Sequence, residues 1–305
     1  MIKLEDLSWG QRIGLELLWW GAKGFAILPY WFKFYVVEPM LYFLLCHVVH
    51  YRQKVVMENL RRSFPEKSEE ELKRIKRGFY HNLAEVFIGT FNMAHLTDQK
   101  IRRYFRLRNF KEMKAAMPDE HIIVLFAHHG LWELGAFWTM EDPTHESLGI
   151  YHQLRSKVVD LFYQRLRTTA YSTPVQKKES MRFLLLHRKD GVKGRRMAMG
   201  LIADQHPNIP VNEDTHWFRF LNQDSVFFDG GEQLATRYHM PVYFAPMFRV
   251  GRGRYEMEFH MIYDGQEEVE KHAITERYVR RLEQMIVEAP ELWMWSHRRW
   301  KHKKK

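Results

Sequence analysis

Three short apolar runs constrain this chain more than any other feature: HIIVLFA (121–127), MAMGLIA (197–203) and PVYFAPMF (241–248). The first reads as a buried strand and the other two as strands of the same kind. A further strand is expected near Leu148–Tyr151, ahead of the helical run KVVDLFYQRLRTTAY (157–171). Helices over 179–189 and 228–238 precede the second and third apolar runs. YEMEFHMIY (255–263) reads as one more strand, joined to 241–248 through a hairpin turn at Gly251-Arg252-Gly253, and a last helix covers 275–288. Strands that alternate with helices in this way make an α/β sheet with helices on both faces. Upstream, Ser68 and Glu71 form a capping box. It opens an amphipathic helix whose apolar positions are Leu72, Ile75, Phe79, Leu83, Val86 and Phe87.

Residues 13–50 are the most aromatic and apolar stretch, yet Glu16, Lys23, Lys33 and Glu38 interrupt every window long enough for a simple span. The order of features does not fit a secretory leader. Pro29 and Pro39 are expected to break or kink a helix here. Buried helices would explain the segment. The favoured expectation is membrane attachment, with Trp19, Trp20, Tyr30, Trp31, Tyr35 and Tyr42 at the interface. The chain divides accordingly into a membrane-associated segment, 1–50, and a catalytic domain, 51–305. A single cysteine, Cys46, excludes a disulfide framework and points to a reducing compartment. With 47 Lys+Arg against 37 Asp+Glu the chain is basic, but six positives sit together at Arg298, Arg299, Lys301 and Lys303–Lys305. Composition alone leaves both nucleic acid and an anionic membrane open as partners.

In α/β sheets ligands gather beyond the carboxyl ends of the strands. The first apolar run ends in His128-His129-Gly130-Leu131-Trp132-Glu133. A histidine leaving a strand close to a carboxylate suits general-base catalysis: the acid holds one ring nitrogen while the other takes a proton. The residue chemistry does not choose between His128 and His129, and a histidine that merely caps the next helix would look the same. Gly130 permits the tight turn. The second run ends in Asp204-Gln205-His206-Pro207-Asn208, whose carboxylate and amide could orient a catalytic group or bind a substrate hydroxyl. A third cluster holds Tyr151, Arg155, Asp160, Arg165 and Arg167. Arginine near a strand end can clamp a phosphate. Arg165, positioned by Asp160, is the candidate, whereas Arg167 reads as a solvated helix face. The phosphate-loop, dinucleotide and serine-elbow motifs and the H-E-x-x-H zinc spacing are all absent from the sequence.

These residues, taken in order, resemble the bacterial lipid A late acyltransferases of the wider lysophospholipid acyltransferase group. YRQKVVMENLRRSFPEKS is close to that family's Y-R-x-x-V-x-x-N-L-x-x-S-F-P-E stretch, and HHGLWE to its H-x₄-[DE] motif. Tyr151…Asp160…Arg165 is similar to its Y-R-P…N…D…R segment, Asp204-Gln205 to its D-Q block, and ELWMWSHRRWK to its terminal signature. Tyr151-His152-Gln153 departs from Y-R-P, and HPNIPVNEDTHWFRFLN replaces a Gly-rich stretch.

The resemblance implies a glycerol-3-phosphate acyltransferase-like mixed α/β sheet flanked by helices, with an apolar N-terminal helical membrane anchor. It implies acyl transfer from an acyl thioester on acyl carrier protein to a hydroxyl of a lipid A precursor. His128 would be the base and Glu133 its orienting partner. Arg155, Asp160, Arg165, Asp204 and Gln205 would bind substrate. No metal or dissociable cofactor is called for, and nucleic acid drops out as a partner. The site would face the cytoplasm from the inner membrane. Another membrane-lipid acceptor, a lysophospholipid or an aminolipid, is the nearest alternative; a non-catalytic basic peripheral protein is a more distant one.

Overall fold

The computed structural model describes residues 1–117, 119–169, 172–207 and 211–301. The expected helix end at Tyr171, the turn residue Asn208 and the lysines Lys303–Lys305 lie outside the described residues. The strands among the described residues are β1 (Phe105–Leu107), β2 (Ile122–Phe126), β3 (His145–Tyr151), β4 (Ser172–Gln176), β5 (Arg196–Ile202), β6 (Phe218–Phe220), β7 (Gln223–Ser225), β8 (Val242–Phe244), β9 (Met247–Gly251), β10 (Arg254–Met257) and β11 (His260–Tyr263). Six form the main sheet in the order β11-β8-β2-β5-β3-β4. All are parallel except the edge strand β11, so the sheet is mixed, as expected.

Alternate side chains of the central strands feed two separate cores. Ile123, Leu125, Met197, Met199, Val242 and Phe244 pack under the helices Gln53–Ser63, Glu69–Asn92, Gly230–Tyr238 and Ala273–Glu288. Ile122, Val124, Ala198 and Tyr243 pack under Trp9–Ile27, Lys157–Thr169 and the 3₁₀ turn Trp132–Met140. Each such aliphatic side chain contributes ~1.5–3 kcal/mol on burial. The sheet is thus covered on both faces. The capping box forms as expected, with Ser68 and Glu71 exchanging backbone hydrogen bonds of 2.9 and 3.3 Å. All the named apolar positions of that helix are buried except Phe87.

Two expected strands are each divided. The run 241–248 breaks after Phe244, where Pro246 has no N–H to continue a ladder, and β9 leaves for a second sheet of order β1-β10-β9. The run 255–263 breaks likewise, β10 joining that second sheet and β11 the main one. The hairpin turn between β9 and β10 is present, with Gly253 at φ +57°. Strand β4 escapes a reading by pattern because Pro174 sits inside it; the proline is tolerated because β4 is an edge strand paired only to β3.

No helix among the described residues is long and apolar enough to cross a membrane by itself. The helix Tyr30–Val48 and the helix Gln53–Ser63 together pass by length and composition, but they meet at 91°. Pro29 separates Trp9–Ile27 from Tyr30–Val48, whereas Pro39 is accommodated near the start of a helical turn. The N-terminal helices are two-faced. Leu15, Trp19, Ala22 and Phe34 are buried in the second core, while Trp9, Leu17, Trp20, Trp31, Met40 and Phe43 are exposed. Two of the charges that interrupt the apolar sequence point inward. Lys33 donates to Ala26 O and Asn92 Oδ1, and the buried Glu38 bonds His81.

Candidate active site

Register builds the site. Phe126 of β2 lies opposite Ile202 of β5, so the residues two further along each strand, His128 and Asp204, leave the sheet side by side. The His128 ring Nδ1 lies 2.7 Å from Asp204 Oδ1, and the His128 backbone N–H donates to Asp204 Oδ2 at 3.0 Å. A third donor, the Trp293 indole N–H, reaches Oδ2 at 2.8 Å. Burial alone would raise the Asp204 carboxyl, but its attraction to the His128 ring and these donors outweigh it and hold the group below the usual carboxylate range. An anionic Asp204 fixes the tautomer: Nδ1 carries the proton and Nε2 keeps its lone pair. The Gln205 side-chain nitrogen sits 3.4 Å from that Nε2.

This geometry corrects the expected pairing. Glu133 makes its hydrogen bonds to Arg167 rather than His128, at 2.9 and 3.2 Å to Nη2 and Nε. The 3₁₀ turn Trp132–Met140 carries its carboxylate toward the helix Lys157–Thr169, and Trp132 fills the space beside the His128 ring. Burial pushes Glu133 up, the Arg167 guanidinium pulls it down further, and the net shift is downward. Arg167 loses by desolvation and gains more from Glu133, so it stays cationic. The expected surface residue is therefore a half-buried charge in the cavity wall. Its spacing was a usable signal, since Asp160, Gln164 and Arg167 fall at i, i+4 and i+7 on one helix face.

His129 turns the other way. It is buried, with its nitrogens 3.1 and 3.2 Å from the carbonyls of Met247 and Ala289, and burial pushes it down to about 4. Gly130 adopts φ +59°, and a Cβ there would lie 2.8 Å from the Tyr255 ring. Only His128 of the pair faces the cavity.

That cavity has a volume of about 810 Å³ and opens at the carboxyl ends of β2, β3 and β5. His128, Glu133, Arg167 and Gln205 give it one polar wall; Ile150, Met199, Leu201, Phe228 and Leu234 give it an apolar one. Asp160 is buried and accepts from Leu154 N and Gln164 Nε2 at 2.7 Å each, which holds the loop after β3. It does not position Arg165. That guanidinium stands on the outer helix face, 2.8 Å from Glu16 and stacked over Trp19, because residues five apart on a helix point in different directions. Arg155 is exposed on the loop between β3 and the helix and is not among the described residues lining the cavity. Among the described residues no group of three or more His, Cys, Asp or Glu side chains is placed to hold a metal ion.

The turn after β2 is held by a strap from the other end of the chain. Met294 N donates to His128 O at 3.0 Å and Gly130 N to Leu292 O at 2.9 Å. The strap is itself clasped by Asn59, whose amide reaches Trp295 O and His297 O at 2.8 and 2.9 Å. The motif around 51–66 and the terminal signature therefore meet behind the site. Arg299 does not join a basic surface: it is buried, bonded to Val226 O and laid over the Phe227 ring.

A histidine held by a buried acid at the strand ends of such a sheet, before a half-apolar cavity, is an arrangement that suits general-base chemistry beside an apolar substrate. The model of one family, the bacterial lipid A biosynthesis acyltransferases, matches residues 17–302, and the chain belongs to that family. It is an acyltransferase with a lipid acceptor. Comparison with curated individual proteins gives no match.

Proposed function

We propose that the protein transfers a fatty acyl group from an acyl thioester on acyl carrier protein to a hydroxyl of a lipid A precursor. The observation that carries this reading is the His128–Asp204 pair at the head of the half-apolar cavity. His128 Nε2 takes the hydroxyl proton as the oxygen attacks the thioester carbonyl. The imidazolium that forms is balanced by Asp204, so no net charge is left buried. The tetrahedral intermediate then expels the thiolate, which receives the proton back from His128. Arg167, held rigid by two hydrogen bonds to Glu133, directs positive charge into the cavity toward the oxyanion or the phosphate of the acceptor. Glu133 thus serves the reaction through Arg167, and Gln205 marks the place of the attacking hydroxyl. Arg155, on its exposed loop, is available to an acceptor at the rim.

The exposed aromatic face of residues 9–48 supports peripheral attachment of segment 1–50 to the inner membrane, with the site toward the cytoplasm and the acidic carrier arriving from there. The decisive experiment incubates the purified protein with acyl carrier protein thioester and a lipid A precursor and reads the product by mass spectrometry. His128→Ala lowers turnover ~10²–10⁴-fold, and His129→Ala acts chiefly on stability. Near-normal turnover in His128→Ala overturns the mechanism. A product formed only on a lysophospholipid or aminolipid overturns the acceptor.

A further inference from the structure

Exposed apolar surface is found at the cavity mouth as well as on the N-terminal helices. Beyond the N-terminal helices, the helix Ser180–His187 buries Leu184 in the core and turns Met181, Leu185 and Leu186 outward, the last two 52% and 67% exposed. Met181 also lines the cavity, as does the exposed Leu154. The chain start meets the residue before this helix and the start of the helix Lys157–Thr169. The Met1 amine bonds Glu179 at 3.1 Å, and Lys157 bonds Asp6 O at 3.0 Å.

We infer that the helix Ser180–His187 is a second bilayer-docking element, which sets the cavity mouth against the membrane so that the acceptor slides in sideways from the lipid. Charge selects the occupant. Residues 177–193 carry six Lys/Arg and two acids; the Met1 amine engages Glu179 and the buried Glu146 engages Lys193, so five cations stand against Asp190. An apolar face ringed by excess cations fits an anionic lipid surface, where long basic side chains reach the headgroups while their stems stay apolar. A second copy of the chain would set the same cations against each other. The inference deepens the proposed function and rests on its membrane-lipid acceptor.

The test uses the full chain with Leu185→Glu and Leu186→Glu together, since neither side chain lines the cavity or enters a core. Binding is read by co-sedimentation with vesicles of equal parts phosphatidylethanolamine and phosphatidylglycerol. Turnover is read with the acceptor either embedded in those vesicles or dispersed in detergent. The expected result is vesicle binding and bilayer kcat/KM both lowered about tenfold or more, with the detergent rate and the thermal melt unchanged. Leu186→Trp should bind at least as well as the unaltered chain. Unchanged vesicle binding overturns the inference. So does an equal loss of rate in both formats, or a change of oligomeric state without loss of binding. Failure of the unaltered chain to acylate the lipid in either format refutes the functional reading instead.

Discussion

Replacing Asp204 by Asn separates orientation from bulk. The carboxylate receives three donors: His128 Nδ1–H, His128 N–H and the Trp293 indole N–H. An amide has one oxygen to offer. If that oxygen stays where the backbone and indole donate, the new NH₂ points at His128 Nδ1, which must then accept. The ring proton moves to Nε2, and the lone pair that should take the hydroxyl proton is gone. Inverting a histidine tautomer through its partner acid costs ~10³–10⁴ in kcat, equivalent to about 4–5.5 kcal/mol of barrier. KM should change little, because Asp204 lies behind the ring and does not line the cavity. The assay is steady-state transfer from acyl carrier protein thioester, with circular dichroism to show that the variant folds. Near-normal turnover in Asp204→Asn, combined with a ~10³-fold loss in Glu133→Gln, would refute the reasoning and return the orienting role to Glu133.

Arg167→Lys replaces two parallel hydrogen bonds by one and lets the cavity wall shift, so kcat/KM should fall ~10²-fold. Arg165→Lys should stay close to full activity, since its partner Glu16 is an exposed surface acid worth below ~1 kcal/mol; inactivity would put Arg165 back in the site. Trp293→Phe keeps the ring and removes the N–H, which should lower kcat about tenfold without raising KM; an unchanged kcat would leave that hydrogen bond without a role. His129 is about 4 when folded and 6.5 in the reference state, so the unfolded chain binds the proton first on acidification. Its contribution is full above pH 6.5 and drains as the pH falls toward 4, by about 3 kcal/mol in all. Chemical denaturation across that window should show a shallower slope in His129→Gln, with part of the slope retained because His297 is also held at about 4; an identical slope would refute the assignment.

The sheet was legible because apolar runs of strand length are hard to place elsewhere, and His128 because it ends one. The partner of His128 was not. Asp204 lies far off in sequence, and only the register of β2 on β5 brings it alongside; Glu133, five residues away, was the nearer candidate by counting. Arg167 was obscured because a lone arginine on a helix usually faces water, and the face it shares with Asp160 is visible only when three positions are taken together. The divided strands show the limit of pattern reading: a run of apolar residues says that a segment is buried, not which sheet it joins. The N-terminal charges mislead in the opposite sense. Lys33 and Glu38 lower the hydropathy of a segment whose exposed face they do not touch.

The strap that pairs with the His128 turn also sets when that turn can take its final form. A ribosome adds Trp293 more than half the chain after His128. Until residues 292–299 have emerged, the turn has no strand to bond to and Asp204 lacks one of its three donors. The site geometry therefore belongs to the folded chain as a whole, since it closes only when segments far apart in synthesis have met.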